Sequence, residues 1–257
     1  MTKNILIAAP IYKREWILPL WIHCLNNQNY PRENIGFMFE LGPDDDGTHE
    51  MLWDFQNSRP EALCFDAQIY LPVKHVAHAD GHRNWNAEKY ENMVTLRNNL
   101  LERASGMSDK FDYYFSLDSD ILLEDPDTIT KLVNHCEEER DVVSPLMYMT
   151  PDSRNYPSGM TWVENNGNRA ARVPSHYDVG NIFKIDIVMA AVMMSRKVYP
   201  HVRYRWHRQG EDLGFAYNLR EVGIQSWAAW DIYCPHIMNT GQLAEYINLG
   251  LDLRKPF

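Results

Sequence analysis

The stretch Phe111-Asp-Tyr-Tyr-Phe-Ser-Leu-Asp118-Ser119-Asp120-Ile-Leu-Leu123 joins an apolar and aromatic run directly to an Asp-x-Asp pair. We predict a strand over Asp112 to Leu117. Residues i and i+2 of an extended chain point to one face, so the carboxylates of Asp118 and Asp120 are expected to converge on one cation. Mg²⁺ or Mn²⁺ suits two carboxylates together with substrate phosphates. The alternative is a solvated turn in which both acids cap the next helix.

Short apolar runs alternate with helical patterns on both sides of this stretch. Strands are predicted at 5–11, 35–41, 67–71, 112–117, 141–145 and 227–233, and helices at 15–26, 48–55, 90–103, 126–136 and 212–222. Such alternation is typical of an α/β fold with a mainly parallel sheet. Ligands of such sheets bind beyond the carboxyl ends of the strands, which is where the Asp-x-Asp pair lies.

The remaining segments carry weaker patterns. Residues 150–180 are rich in Pro, Gly, Asn and Ser, so we expect little regular structure there. Residues 72–88 hold His75, His78 and His82 at a spacing that lacks a fourth metal ligand, which favours a solvated loop. A C-terminal helix is predicted over 243–253.

Composition sets the class of protein. The chain has 257 residues, of which 45% are hydrophobic and 23% charged, as in a globular protein with a sizeable core. A net charge of −10 disfavours a general affinity for nucleic acid. The four cysteines form no C-x-x-C pair, which excludes a zinc knuckle. The first apolar run is short for a secretory signal and nothing approaches a membrane span, so we expect a soluble, cytoplasmic protein.

Two further segments carry candidate functional groups. Gly210-Glu211-Asp212 opens a predicted helix, where the acids either complement the helix dipole or place a base beside a bound acceptor. In Cys234-Pro235-His236 the imidazole could complete a metal site, although a lone histidine is more often structural.

A basic segment precedes the second acid pair. Residues 187–209 contain no acid. They hold five basic residues, Arg196, Lys197, Arg203, Arg205 and Arg208, and the aromatic rings interleaved with these are His201, Tyr204, Trp206 and His207. This pattern favours contact with a diphosphate or an anionic acceptor, nucleic acid included. The alternative is a basic face that balances the seven acids of residues 33–58.

In order and spacing, these segments resemble the GT-A glycosyltransferases. The likeness rests on Leu96-Arg97-Asn98-Asn99 in a helix, the strand into Asp118-Ser119-Asp120, Glu211-Asp212, and a late His236. The likeness extends over roughly residues 4–240. Within this class, the sequence is most similar to the family 2-like enzymes and the fungal mannan-polymerase mannosyltransferases. The resemblance implies a single Rossmann-like domain over 1–257 with helices on both faces. Residues 1–125 would bind the nucleotide sugar, and residues 126–257 would form the acceptor side and a C-terminal tail.

The resemblance also implies roles on the donor side. Pro10 and Tyr12 would bound the nucleotide base, and Asp45, in the Asp44-Asp45-Asp46 loop, would hold base or ribose. Arg97 would lie near the nucleotide. Asp118 would contact ribose or metal.

The metal and the acceptor complete the implied site. Asp120 and His236 would ligate Mn²⁺, or Mg²⁺, on the diphosphate. Glu211 or Asp212 would face the acceptor.

The function expected from these features is transfer of a sugar from a UDP- or GDP-linked donor to a hydroxyl group. The acceptor would be a glycan, a lipid or a hydroxymethylated pyrimidine in DNA. One alternative is a catalytically silent nucleotide- or sugar-binding module of the same fold. Another is a sugar nucleotidyltransferase, but that class needs a glycine-rich loop after the first strand, and residues 9–14 contain no glycine.

Overall fold

The computed structural model describes residues 2–43, 46–66, 87–147, 161–165, 168–172 and 182–249. The strands within these ranges are β1 (Ile5–Ile11), β2 (Ile35–Leu41), β3 (Ala62–Asp66), β4 (Tyr113–Leu117), β5 (Val142–Leu146), β6 (Thr161–Asn165), β7 (Asn168–Arg172), β8 (Ile182–Ile185), β9 (Ala191–Ser195) and β10 (Ser226–Tyr233). The α-helices are α1 (Leu18–Asn26), α2 (Thr48–Ser58), α3 (Ala87–Ser105), α4 (Thr128–Glu137), α5 (Glu211–Glu221) and α6 (Thr240–Leu249).

Eight of these strands form one sheet in the order β3-β2-β1-β4-β9-β5-β10-β8. β1 pairs in parallel with β2 and β4, β2 with β3, and β5 with β10. β9 runs antiparallel between β4 and β5, and β8 is an antiparallel edge strand. β6 and β7 form a separate two-stranded hairpin. The predicted α/β fold with a mainly parallel sheet is confirmed.

Helices cover both faces of the sheet because its central strands are apolar on both sides. Along β1, Ile5 and Ile7 belong to the core under α1, α2 and α4, whereas Leu6 and Ala8 belong to the core under α3 and α5. Each fully buried Ile or Leu contributes roughly 1.5–3 kcal/mol. This two-sided burial confirms the predicted helices on both faces.

Several predicted bounds differ from the observed ones. The strand β3 at 62–66 was not predicted, and residues 67–86, which include the strand predicted at 67–71 and the predicted histidine loop, lie outside the described residues. β3 is an edge strand whose Leu63 is exposed, which weakens its hydrophobic pattern. α1 begins at Leu18 rather than at residue 15, with a proline in its first turn as is common there.

The region predicted to have little regular structure contains the β6–β7 hairpin. Residues 148–160 and 173–181 lie outside the described residues. α6 begins at Thr240 rather than at the predicted residue 243 and is described as far as Leu249; residues 250–257 are likewise not described.

The parallel strands place their carboxyl ends at one edge of the sheet. β4 ends at Leu117, and the chain turns there, because the Ile121 N–H donates to the Asp118 carbonyl at 3.1 Å. The extended backbone expected through Asp120 is therefore wrong, and the turn decides where each carboxylate points. The Asp118 N–H donates to the Ala190 carbonyl at 2.8 Å, which anchors the turn to the segment before β9.

Candidate active site

A buried arginine organises the acids at this edge. Arg97, on α3, is only 2% exposed. Its Nη2 lies 2.9 Å from Asp118 Oδ1, and its Nε lies 3.4 Å from Glu211 Oε1. Its Nη1 donates to Ser116 Oγ at 3.3 Å, and its guanidinium lies over the ring of Tyr204. Arg97 thus joins the end of β4 to the start of α5.

The second acid pair reaches this edge because a glycine starts α5. Gly210 has φ +123°, a conformation that L side chains rarely adopt, and it lies against the ring of Tyr90. Glu211 is buried, whereas Asp212 is partly exposed. Glu211 is therefore fixed by Arg97, and Asp212 is the member of the pair that a ligand could reach.

The acids perturb one another's protonation. Burial raises the pKa of the Asp212 carboxyl well above its usual value, and neighbouring Glu211 raises it further. Burial also raises the pKa of Asp118, an effect that the Arg97 guanidinium opposes and that Asp120 and Glu211 reinforce. Burial disfavours the charge on Arg97, but Asp118 and the other acids outweigh it and raise its pKa. Such perturbed carboxyls are typical of acid–base sites.

Asp120 and His236 are brought together by backbone pairing. Ile121 and His236 form an isolated β-bridge, and the Ile237 N–H donates to the Asp120 carbonyl at 2.9 Å. His236 Nε2 consequently lies 3.7 Å from Asp120 Oδ1. Of the predicted trio, Asp120 and His236 therefore lie together, and Asp120 is close enough to Asp118 to affect its protonation.

The donor set of this trio fits a hard divalent cation. Two carboxylates and one imidazole suit Mn²⁺ or Mg²⁺, and Asp120 also pairs with Arg14 Nη2 at 3.1 Å. In the described parts of the chain, no three His, Cys, Asp or Glu side chains are arranged as a preformed metal site. Because Arg97 holds Asp118 and Arg14 holds Asp120, a metal ion would compete with these two arginines for the carboxylates.

Arg14 is the site residue that the sequence analysis missed. It follows the carboxyl end of β1 by three residues, and its Nε also donates to Ser119 Oγ at 3.2 Å. Its backbone N–H donates to Thr48 Oγ1 at 2.8 Å, which ties the loop to the start of α2. Its place after a parallel strand was the available signal.

The residues expected to bound the nucleotide lie beside Arg14. Pro10 is near the carboxyl end of β1, in register with Glu40 of β2. The Tyr12 ring packs on Gly42, where an added Cβ would lie 2.6 Å from the ring. Asp45 lies outside the described residues, while the neighbouring Asp46 carboxylate accepts from the Thr48 hydroxyl.

The basic and aromatic segment divides into different environments. Tyr204 is buried and stacked on Phe215 at 4.4 Å, so the expectation that its ring is open to a ligand is wrong. The apolar α5 face required a partner, and Tyr204 supplies it. Arg205 is paired with Glu221, whereas Trp206 is 50% exposed. Contact of this segment with an anionic acceptor stays a prediction.

The sequence identifies the family of the chain. Residues 2–234 match the family described as glycosyltransferase family 25, N-terminal domain, and the chain is a member of that family. It is therefore a glycosyltransferase domain. The narrower resemblance to the fungal mannan-polymerase enzymes is not confirmed.

Relatives and solved structures agree with this class. The chain is 26% identical over 239 residues to procollagen galactosyltransferase 1-A of Xenopus laevis, covering 86% of this chain and 37% of that protein. It is 23% identical over 200 residues to a glycosyltransferase 25 family member of Aedes aegypti, covering 76% of this chain and 32% of that protein. The chain thus spans roughly a third of the length of these curated relatives.

The fold resembles solved GT-A transferases at low identity. GalNAc-T7 with UDP, GalNAc and Mn²⁺ superposes with a TM-score of 0.60 at 9% identity, over 92% of this chain and 44% of that one. The Pyrobaculum calidifontis mannosyltransferase PcManGT, with GDP-Man and Mn²⁺, superposes with a TM-score of 0.55 at 11% identity, over 92% of this chain and 57% of that one. These likenesses confirm the predicted GT-A fold.

No helix in the described ranges is long and apolar enough to cross a membrane.

Proposed function

We propose that this chain transfers a sugar from a nucleoside diphosphate sugar to a hydroxyl acceptor at the carboxyl edge of its sheet. The observation that carries the proposal is the convergence of Asp118, Glu211 and Asp212 around the buried Arg97, with Asp120 close enough to Asp118 to affect its protonation. Residues 1–125 would bind the donor through Pro10, Tyr12 and Asp45, and residues 126–257 would form the acceptor side.

Asp118, Asp120 and His236 are the residues that would hold Mn²⁺ or Mg²⁺. When bound, the cation would act as a Lewis acid that stabilises the negative charge on the departing nucleoside diphosphate. The exposed part of Arg14 is placed to add positive charge on the same side. Arg97 is too buried to contact a nucleotide directly, so we assign it to positioning Asp118 and Glu211.

Asp212 is the proposed base toward the acceptor. A general base works best when its pKa lies near the operating pH, and burial together with Glu211 moves the pKa of Asp212 in that direction. Its partial exposure leaves it within reach of an acceptor hydroxyl. Glu211, held by Arg97, would keep the start of α5 in place.

The donor is best sought among UDP-linked sugars. A relative is named a procollagen galactosyltransferase, and a structural neighbour holds UDP and Mn²⁺, so UDP-galactose comes first, with UDP-GalNAc and GDP-mannose beside it. The thermal unfolding midpoint would be measured with each donor, in Mn²⁺ and in EDTA, because a ligand that binds only the native state raises it.

We expect one nucleotide to raise the midpoint in Mn²⁺ but not in EDTA, and the shift to vanish in Asp120→Ala. Asp231→Asn removes an exposed carboxylate outside the site and should keep the shift. A shift in all variants, or none with any donor, would refute the proposed site. Donor binding without sugar transfer to any hydroxyl compound would favour the silent binding module.

A further inference from the structure

A cleft of about 260 Å³ lies at the opposite edge of the sheet from the candidate active site. It is formed where α1 and α2 end and β2 begins, so it opens at the amino ends of the parallel strands. Its walls combine apolar and polar side chains, two of which are arginines. The residues that form them include Leu25, Asn26, Tyr30, Arg32, Ser58 and Arg59. None of the proposed transferase residues lines it.

Arg59 is buried in this wall with part of its hydrogen-bonding capacity unused. It is only 3% exposed. Its Nη2 donates to Asn26 Oδ1 at 3.0 Å, and its Nη1 lies 3.5 Å from Glu61 Oε1. Its Nε–H has no acceptor among the residues that the structure describes. A buried donor without an acceptor costs free energy, so this group indicates a missing partner.

The residues that line the cleft carry two positive charges, those of Arg32 and Arg59, and no negative one. Arg32 stands at the rim, where its Nη2 donates to the Ser58 carbonyl at 2.8 Å. Burial, and then Arg32, lower the pKa of Arg59 against the opposing effect of Glu61. Glu61 is itself 44% exposed, so water weakens its compensation. The cleft therefore favours an anion.

We propose that this cleft binds a small phosphate-bearing ligand, either inorganic phosphate or a phosphomonoester. Guanidinium N–H groups form charge-assisted hydrogen bonds with phosphate oxygens, and this wall holds two guanidinium groups, those of Arg32 and Arg59. Asn26 and Glu61 engage the two terminal nitrogens of Arg59, which leaves its Nε as the donor without an acceptor among the described residues. The cleft is large enough for a phosphate group and a small attached moiety.

Calorimetric titration with inorganic phosphate, at constant ionic strength made up with chloride, tests the proposal. Arg32→Gln should weaken phosphate binding about tenfold or more, because it removes a charge-assisted hydrogen bond. Arg59→Lys should weaken it as well, since lysine has no Nε–H group. The control is Arg220→Gln, at an exposed arginine of α5, which should bind phosphate as the wild type does.

Because Arg32 is exposed, Arg32→Gln should fold normally, and circular dichroism would verify this. Titration with a hexose phosphate in the same variants shows whether the cleft prefers a phosphomonoester or free phosphate, because the preferred ligand binds with the lower Kd. Absence of saturable phosphate binding to the wild type would overturn the proposal. So would equal affinity in Arg32→Gln and Arg220→Gln, because the anion would then lie elsewhere.

Discussion

The Arg14 guanidinium donates to the Asp120 carboxylate at 3.1 Å, which ties the loop after β1 to the turn after β4. Asp120 is 3% exposed, and a buried carboxylate is tolerated only when cations or hydrogen bonds compensate it. Arg14 and a metal ion would therefore be alternative partners for one acid. Substitution of Arg14 therefore tests whether Asp120 is a metal ligand.

Arg14→Met should lower the free energy of unfolding by about 2 kcal/mol, since it removes one partner of a largely buried pair. Mn²⁺ should then stabilise the variant more than it stabilises the wild type, because Asp120 no longer has to exchange partners. Urea unfolding with and without Mn²⁺ measures both effects, with Arg220→Met as the control. Equal Mn²⁺ stabilisation of Arg14→Met and wild type would argue against Asp120 as a ligand.

Arg97→Met should destabilise the protein by about 3–5 kcal/mol, because Asp118 and Glu211 would lose their shared cation while staying buried. Arg97→Lys keeps the charge but loses the fork, and should be intermediate. Denaturant unfolding gives the values. Arg220→Met, at an exposed arginine of α5, is the control for the length of side chain removed. A cost of Arg97→Met no greater than that of Arg220→Met would contradict the role assigned to Arg97.

Asp212→Asn should change both activity and the pH dependence of stability. The pKa of Asp212 is raised in the folded state, so its contribution to stability is complete below its unfolded pKa of about 4 and is lost as pH rises through the folded pKa. Asparagine does not titrate. The variant should therefore gain stability relative to the wild type as pH rises above about 4.

Loss of the base should at the same time lower the transfer rate by about 100-fold or more. Unfolding curves across pH and a transfer assay measure the two effects. Asp231→Asn controls for the change in net charge. If the Asp212→Asn variant keeps its transfer rate, Asp212 is not the general base.

Gly214→Ala should be strongly destabilising although alanine favours helices. A Cβ at this position of α5 would collide with the carbonyl of Arg205, and backbone cannot move aside as a flexible side chain can. We expect a loss of about 3 kcal/mol. Gly106→Ala, whose added Cβ would meet ordinary contacts at 3.4 Å, should change stability by less than about 1 kcal/mol. Similar urea midpoints for the two variants would refute this close packing of α5.

The strands with continuous apolar runs were predictable from sequence. β1 and β2 have the predicted bounds, because residues buried on both faces leave an unbroken hydrophobic signal. The antiparallel insertion of β9 between β4 and β5 was not predicted, since strand order depends on pairing across a long sequence separation. The edge strand β3 at 62–66 was not predicted, because an open edge tolerates polar and exposed residues.

The candidate site was predictable in its residues but not in its pairings. The acids, Arg97 and His236 were all expected at one site, and Asp120 and His236 do lie together. The contact of Arg97 with Glu211 joins residues 114 positions apart, and no local pattern encodes it. The pairing of Arg14 with Asp120 likewise depends on strand order rather than on any motif.

The position of a bound metal ion is the strongest test of the proposed active site. Crystals grown with Mn²⁺ and the nucleotide that gives the largest thermal shift would be measured at a wavelength where manganese scatters anomalously. We predict one strong anomalous peak bounded by Asp118, Asp120 and His236, with the diphosphate beside it and Arg14 released from Asp120. A manganese and nucleotide bound elsewhere, with the Arg14–Asp120 pair intact, would contradict the account.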